Sequence, residues 1–158
     1  MLHADQRAFS AILFQPLHEA IKVAHERGAK VTAHCFGHEV LNGLINAGID
    51  CIEHGTGLHL DQIEKMADRE VALVPTVMQL DKFPGYADAG RSRFPDYTST
   101  RPDLYIRRRE TIMSAYEAGV QLYAGSDGGG VSRHGNLAGE VIAMVALGLP
   151  ADYALGAA

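Results

Sequence analysis

The chain has 158 residues, enough for one domain with a sizeable core, and its 47% hydrophobic and 21% charged residues are ordinary for a globular protein. A net charge of −5 argues against a nucleic-acid or anionic-membrane surface, and no apolar run approaches the roughly 20 residues of a membrane span. Cys35 and Cys51 are the only cysteines and form no CxxC, so they read as free thiols in a reducing cytoplasm, not as a disulfide pair or a cysteine zinc site.

The N-terminus lacks a basic-then-apolar signal pattern. Residues 1–14 are poorly defined by pattern. A helix is expected from about Gln15 to Arg27, with Pro16 in its first turn and Leu17, Ala20, Ile21 and Ala24 as its apolar stripe. Gly28 suits the left-handed position after it. Strand Val31 to Cys35 follows. The plan then repeats: a helix from about His38 to Ala47 carrying Leu41, Leu44 and Ile45, then Gly48, then strand Asp50 to His54. A third helix is expected to be capped by Asp61 with Glu64, with Ile63, Met66 and Ala67 inward. Strand Val71 to Val74 stops at Pro75.

From Thr76 to about Ser99 the rhythm breaks into a long segment with Pro84, Gly85, Gly90 and Pro95. It reads as a loop whose aromatics, Phe83, Tyr86, Phe94 and Tyr97, form an ordered lid or pack over a sheet edge. Thr100 and Asp103 look like the capping box of a helix running to about Ala118, with Tyr105, Ile112, Met113 and Tyr116 inward and Arg107, Arg108 and Arg109 solvated. Gly119 ends it. Strand Val120 to Gly125 leads to Asp127, and Gly128 to Gly130 open a loop holding Arg133 and His134. Asn136 caps a helix to about Leu147, and Pro150 starts the last one. Strands alternating with amphipathic helices indicate parallel βαβ units in one undivided α/β domain.

Three strands end in metal-capable side chains, His34, His54 and Asp127. In repeated helix-to-strand units these ends share one rim, where α/β proteins build their sites. Imidazoles and a carboxylate suit a divalent metal such as zinc, manganese, iron or nickel. Alternation puts His34 with Thr32 and opposite Cys35, and His54 with Ile52 and opposite Glu53 and Cys51. Singly, each histidine reads equally as a packed, hydrogen-bonded side chain. Ser126 to Gly130 also reads as a simple turn or as a phosphate-cradling loop, although it lacks a P-loop lysine. His18 and His25 read as solvated, and His38 as a capping or supporting residue.

The segments Val31-Thr32-Ala33-His34, Ala47-Gly48-Ile49-Asp50-Cys51-Ile52-Glu53-His54-Gly55-Thr56, Val74-Pro75-Thr76, Ala118-Gly119-Val120 and Gly125-Ser126-Asp127-Gly128-Gly129 together resemble the amidohydrolase superfamily. The branch is the one with imidazolonepropionase-like enzymes and Xaa-Pro dipeptidases. The resemblance covers the chain from about residue 15. It implies the C-terminal half, strands five to eight, of a (β/α)8 TIM-type barrel that hydrolyses a C–N bond of a small molecule with one or two divalent ions, zinc first. It implies His34, His54 and Asp127 as metal ligands, and Asp127 also as general base. It places Thr76, Gly128 and His134 against substrate. The chain departs from the family in having no His-x-His and no strand-end lysine, since Lys22 falls in a helix and Lys30 at a strand start. A full barrel takes roughly 250 residues. The expected partners are therefore a small-molecule substrate and a missing N-terminal half or a second copy. A catalytically incomplete fragment or a small-molecule or phosphate-binding module is the alternative.

Overall fold

Three parallel strands lie in chain order at the centre of the fold: β1 (Thr32–Cys35), β2 (Cys51–His54) and β3 (Ala72–Val74). The structure is a computed structural model that describes residues 3–90, 92, 95–129 and 133–158, with the side chains of 3–14 and 95–102 outside that description. Thr32 pairs with Cys51, and Cys51 with Ala72. The expected fourth strand is reduced to one parallel bridge, Leu73 to Leu122, held by the Leu73 N–H on Gln121 O and the Tyr123 N–H on Leu73 O.

Eight helices are assigned among the described residues: α1 (His3–Glu26), α2 (His38–Ala47), α3 (Leu60–Asp68), α4 (Val77–Leu80), α5 (Phe83–Gly90), α6 (Pro95–Glu117), α7 (Leu137–Leu147) and α8 (Ala151–Gly156). α2 follows the sequence closely: Leu41, Leu44 and Ile45 are buried, and Gly48 (φ 89°) turns the chain toward β2 while its N–H closes on Leu44 and Ile45 carbonyls. α3 begins one residue earlier than expected, and Gln62, not Glu64, accepts from the backbone N–H of the residue before the helix, His59.

Other expectations change as well. α1 starts well before Gln15, so Pro16 lies inside it; the residues from Ala4 to Phe14 are mostly adequate helix formers. The expected loop after Thr76 is instead helical in α4, α5 and the start of α6, so Thr100 and Asp103 do not mark a helix start. Phe83 is buried there and meets Phe36 edge-on at 5.5 Å, a core contact and not a lid; Phe94 lies outside the described residues. Two of the arginines expected to be solvated on α6 are engaged: Arg108 bonds Asp81 at 3.0 Å and covers Tyr105, and Arg109 donates to Leu147 O. His18 and His25 are also engaged, on Ala47 O and Asp50 respectively.

The core forms between the helices and one face of the sheet, where Cys35, Ile52, Leu73 and Leu122 meet Leu41, Ile45, Ile63, Met66, Ile112 and Ala115. The other face is nearly bare. Thr32, His34 and Tyr123 are exposed on it, and Cys51 and Glu53 half-buried. Thr32 Oγ1 donates to Glu53 Oε1 at 3.0 Å across that face. A parallel sheet is ordinarily covered on both sides. No helix among the described residues is long and apolar enough to cross a membrane.

Candidate metal and active site

Because all strand pairs are parallel, the C-terminal ends of β1, β2 and β3 share a rim, and the segment after Leu122 reaches the same rim. His34, His54, Thr76 and Asp127 lie there. Register alone would not bring the two histidines together. His34 pairs with Glu53 on the bare face, whereas His54 pairs with Cys35 on the helix-covered face. His54 leaves the pleat because its backbone is left-handed, φ 69°. Its ring then meets that of His34 at 4.5 Å between centroids, nearly perpendicular, with His54 Nε2 and His34 Nδ1 2.8 Å apart.

The His54 ring is held at both nitrogens and on one face. Nδ1 lies 2.7 Å from Thr76 Oγ1, and Phe36 stacks on the ring face at 4.5 Å and 19°. His54 is 5% exposed and His34 is exposed. Burial, followed by the neighbouring His34, pushes the His54 pKa down to about 4, against the opposing pull of the Asp127 charge. Neutral imidazole is the form that offers a lone pair to a metal. When Nδ1 carries the proton toward Thr76, that lone pair is on Nε2, facing His34.

Asp127 is exposed, with a left-handed backbone of φ 46°. Its charge reaches His54, yet among the described residues no group of three His, Cys, Asp or Glu closes into a metal cluster. Two of the three expected ligands are thus brought together, and the third stands apart. The donor chemistry still suits a divalent metal: the two rings adjoin, one is kept neutral by burial, and its other nitrogen has a fixed partner, while the proton shared between His54 Nε2 and His34 Nδ1 would have to leave that contact for both nitrogens to face an ion.

Thr76 is 2% exposed and its hydroxyl is on His54, so it supports that ring. His134 folds back over the glycine turn: a Cβ on Gly128 would come within 3.3 Å of its Cα, and one on Gly129 within 3.7 Å of its ring. Beside this turn is a cavity of about 390 Å³ lined by Met78, Lys82, Ser126, Arg133, His134 and Asn136, with Gly135. Gly130, the end of the suggested phosphate loop, lies outside the described residues.

Two residues at the site carry no obvious motif. Phe36 follows β1 and walls both histidines, meeting His34 edge-on at 4.6 Å. Glu140 lies on α7, fully buried, and accepts the Val77 and Met78 N–H groups at 2.6 and 2.9 Å. Glu140 had a signal: it is the single charged residue in the apolar run Leu137–Leu147. Phe36 had none beyond its place after a strand.

The family model described as the amidohydrolase family matches residues 14–158. The chain belongs to the amidohydrolase family. An uncharacterized protein of Mycobacterium tuberculosis (strain H37Rv) is 52% identical to this amidohydrolase-family chain over 142 residues, which are 90% of this chain and 38% of that protein. A counterpart in Mycobacterium bovis has the same identity and coverage. The chain therefore spans well under half the length of these relatives. Among solved structures, a Xaa-Pro dipeptidase with methionine bound in its active site superposes with a TM-score of 0.77 at 26% identity, over 91% of this chain and 36% of that one. The A. niger ochratoxinase superposes at 0.75 with 21% identity, over 91% and 32%, and shares the fold.

Proposed function

We propose that this chain is the C-terminal half of a (β/α)8 barrel and forms part of a metal-dependent hydrolase that cleaves a C–N bond, of amide, cyclic-amide or peptide type, in a small molecule. The observation that carries the reading is the convergence of His34 Nδ1 and His54 Nε2 at 2.8 Å on the strand-end rim of an amidohydrolase-family chain. The bare sheet face supports it too, since the inner face of a barrel is covered by the opposite strands once the ring closes. The remaining barrel half, or a second copy of this chain, is the partner that would cover it.

His34 and His54 would hold the ion, zinc first, with Asp127 as the third ligand. A divalent ion there lowers the pKa of a bound water and polarises a carbonyl. This chain's own contributions are separate. Thr76 and Phe36 fix the His54 ring, Asp127 accepts a proton at its carboxylate, and the cavity beside Ser126 and His134 admits the substrate. The dipeptidase among the structural neighbours makes peptide-like substrates the first class to screen.

The test is the divalent metal content of the purified chain beside a His34→Ala/His54→Ala double variant. Near-stoichiometric metal that disappears in the variant supports the reading. A wild-type chain without bound metal after zinc loading would overturn it for this chain and leave the binding-module alternative, for which the cavity beside Ser126 and His134 is the place.

A further inference from the structure

Glu140 is far from the strand ends in sequence, yet a short chain of contacts links it to His54. Its carboxylate is 0% exposed and both oxygens are used: Oε1 accepts the Val77 N–H at 2.6 Å and Oε2 the Met78 N–H at 2.9 Å. These are the first two N–H groups of α4, which no intrahelical carbonyl can satisfy. A buried carboxylate needs such donors to remain charged; burial pushes the Glu140 pKa up, and the two N–H bonds oppose it. α7 packs against α4, so the carboxylate comes from a rigid neighbour.

The residue before these N–H groups is Thr76. Its backbone is left-handed, φ 46° and ψ 54°, an unfavourable state for a β-branched residue. Something must hold it. The N–H of Val77 belongs to the peptide plane that sets the Thr76 ψ angle, and Glu140 anchors that plane. The Thr76 hydroxyl is in turn 2.7 Å from His54 Nδ1.

We propose that Glu140 is a positioning residue for His54: by bonding the Val77 and Met78 amides it holds Thr76 left-handed, and so keeps the Thr76 hydroxyl on His54 Nδ1 and the lone pair of Nε2 toward His34. The inference rests on the assignment of His54 to the site, but it concerns the ring's tautomer and not the reaction. A helix cap with no further role would stabilise α4 without selecting a tautomer.

Histidine-ring ¹⁵N NMR on the full chain, without metal, distinguishes the two. The wild-type His54 ring is expected in the Nδ1-protonated tautomer. Glu140→Gln puts an amide NH₂ against one backbone donor and should shift the ring toward a mixture, as should Thr76→Val, which removes the hydroxyl. Thr76→Ser should retain the wild-type spectrum. Val141→Ala, on the same helix and half-buried, should lower stability and leave the ring unchanged. Glu140→Asp shortens the reach and is the second variant, expected to shift the ring in the same direction. An unchanged His54 ring in a folded Glu140 variant would overturn the proposal. Loss of far-UV circular dichroism in both Glu140 variants would overturn it too, because Glu140 would then hold the domain and not the ring. Zinc titration of the same samples separates the two ideas: a tautomer shift in a chain that binds no zinc retains the positioning role and removes the metal reading.

Discussion

Asp50 precedes β2 at the end of the sheet opposite the candidate site, and its carboxylate is a sharp test of what holds β1 and β2 together. Oδ1 accepts from Lys30 Nζ at 2.7 Å; Oδ2 meets His25 Nε2 at 2.7 Å and accepts the Val31 N–H at 2.8 Å. Burial works against the charge, but bonds from Lys30, His25 and Val31 outweigh it and bring the pKa from 3.8 to about 2. That difference corresponds to roughly 2 kcal/mol. Lys30 is 85% exposed and His25 40%, so solvent screening reduces the expected contribution to about 1 kcal/mol. The sign follows from a lowered folded-state pKa: the contribution is complete above 3.8 and is lost as pH falls through about 2. Asp50→Asn keeps the shape and removes the charge. It should cost about 1 kcal/mol near neutral pH and progressively less in acid, until the two proteins match once Asp50 is itself protonated. The chain has no tryptophan, so urea unfolding should be followed by far-UV circular dichroism. A stability gap that stays constant between neutral pH and pH about 2 would refute the reasoning, and so would no gap at all.

Gly57→Ala should destabilise by roughly 1–3 kcal/mol, because the new Cβ would lie 2.5 Å from Phe36 O and 2.7 Å from His38 N, backbone atoms that cannot rotate away; thermal unfolding checks it, and a wild-type melting temperature would contradict the close approach. The His54 ring should titrate with a midpoint near 4, since burial and then His34 disfavour its charged form, so folding stability falls as pH drops from 6.5 through that value; a ring-proton midpoint near 6.5 by NMR would contradict the packing. Thr76→Gly removes the left-handed strain and the hydroxyl together, so it should unfold within about 1 kcal/mol of wild type while the His54 ring loses its single tautomer; a retained tautomer would show that Thr76 does not hold the ring.

The helix-to-strand units from Ala20 to Val74 were legible because each unit satisfies itself locally. Leu41, Leu44 and Ile45 bury on one helix face, and Gly48 permits the turn that aims Cys51 to His54. The segment after Thr76 was not legible, because its prolines and glycines read as punctuation while tertiary packing supports helices around them: Phe83 and Ala87 of α5 are buried, and α5 lies along α6. The fourth strand shrank for a similar reason. Gln121 and Tyr123 find no strand beyond them among the described residues, so only the Leu73 to Leu122 bridge forms. The candidate site was legible as a set of strand ends but not as a geometry, since the period of two says nothing about residues that leave the pleat.

That departure is the physical basis of the rim. Four described non-glycine residues have positive φ, and three of them, His54, Thr76 and Asp127, stand where a strand segment gives way to its loop. A strand presents alternate residues to opposite faces, so a regular β2 ending in Ile52-Glu53-His54 would bury His54 with Ile52 among the helices. One left-handed residue reverses that. It lets β2 keep Ile52 in the core and still send the next even-numbered side chain to His34 on the bare face. Left-handed backbone at a non-glycine position costs about 1 kcal/mol or more, and here it is held by contacts around the site: Thr76 and Phe36 on His54, and Glu140 on the peptide after Thr76. Glycine takes positive-φ turns without strain, and these loops also use it, at Gly55 (φ 58°) and Gly129 (φ 142°). Three of the four non-glycine positions carry the imidazole, the hydroxyl and the carboxylate of the rim, and the fourth, Glu70, follows α3.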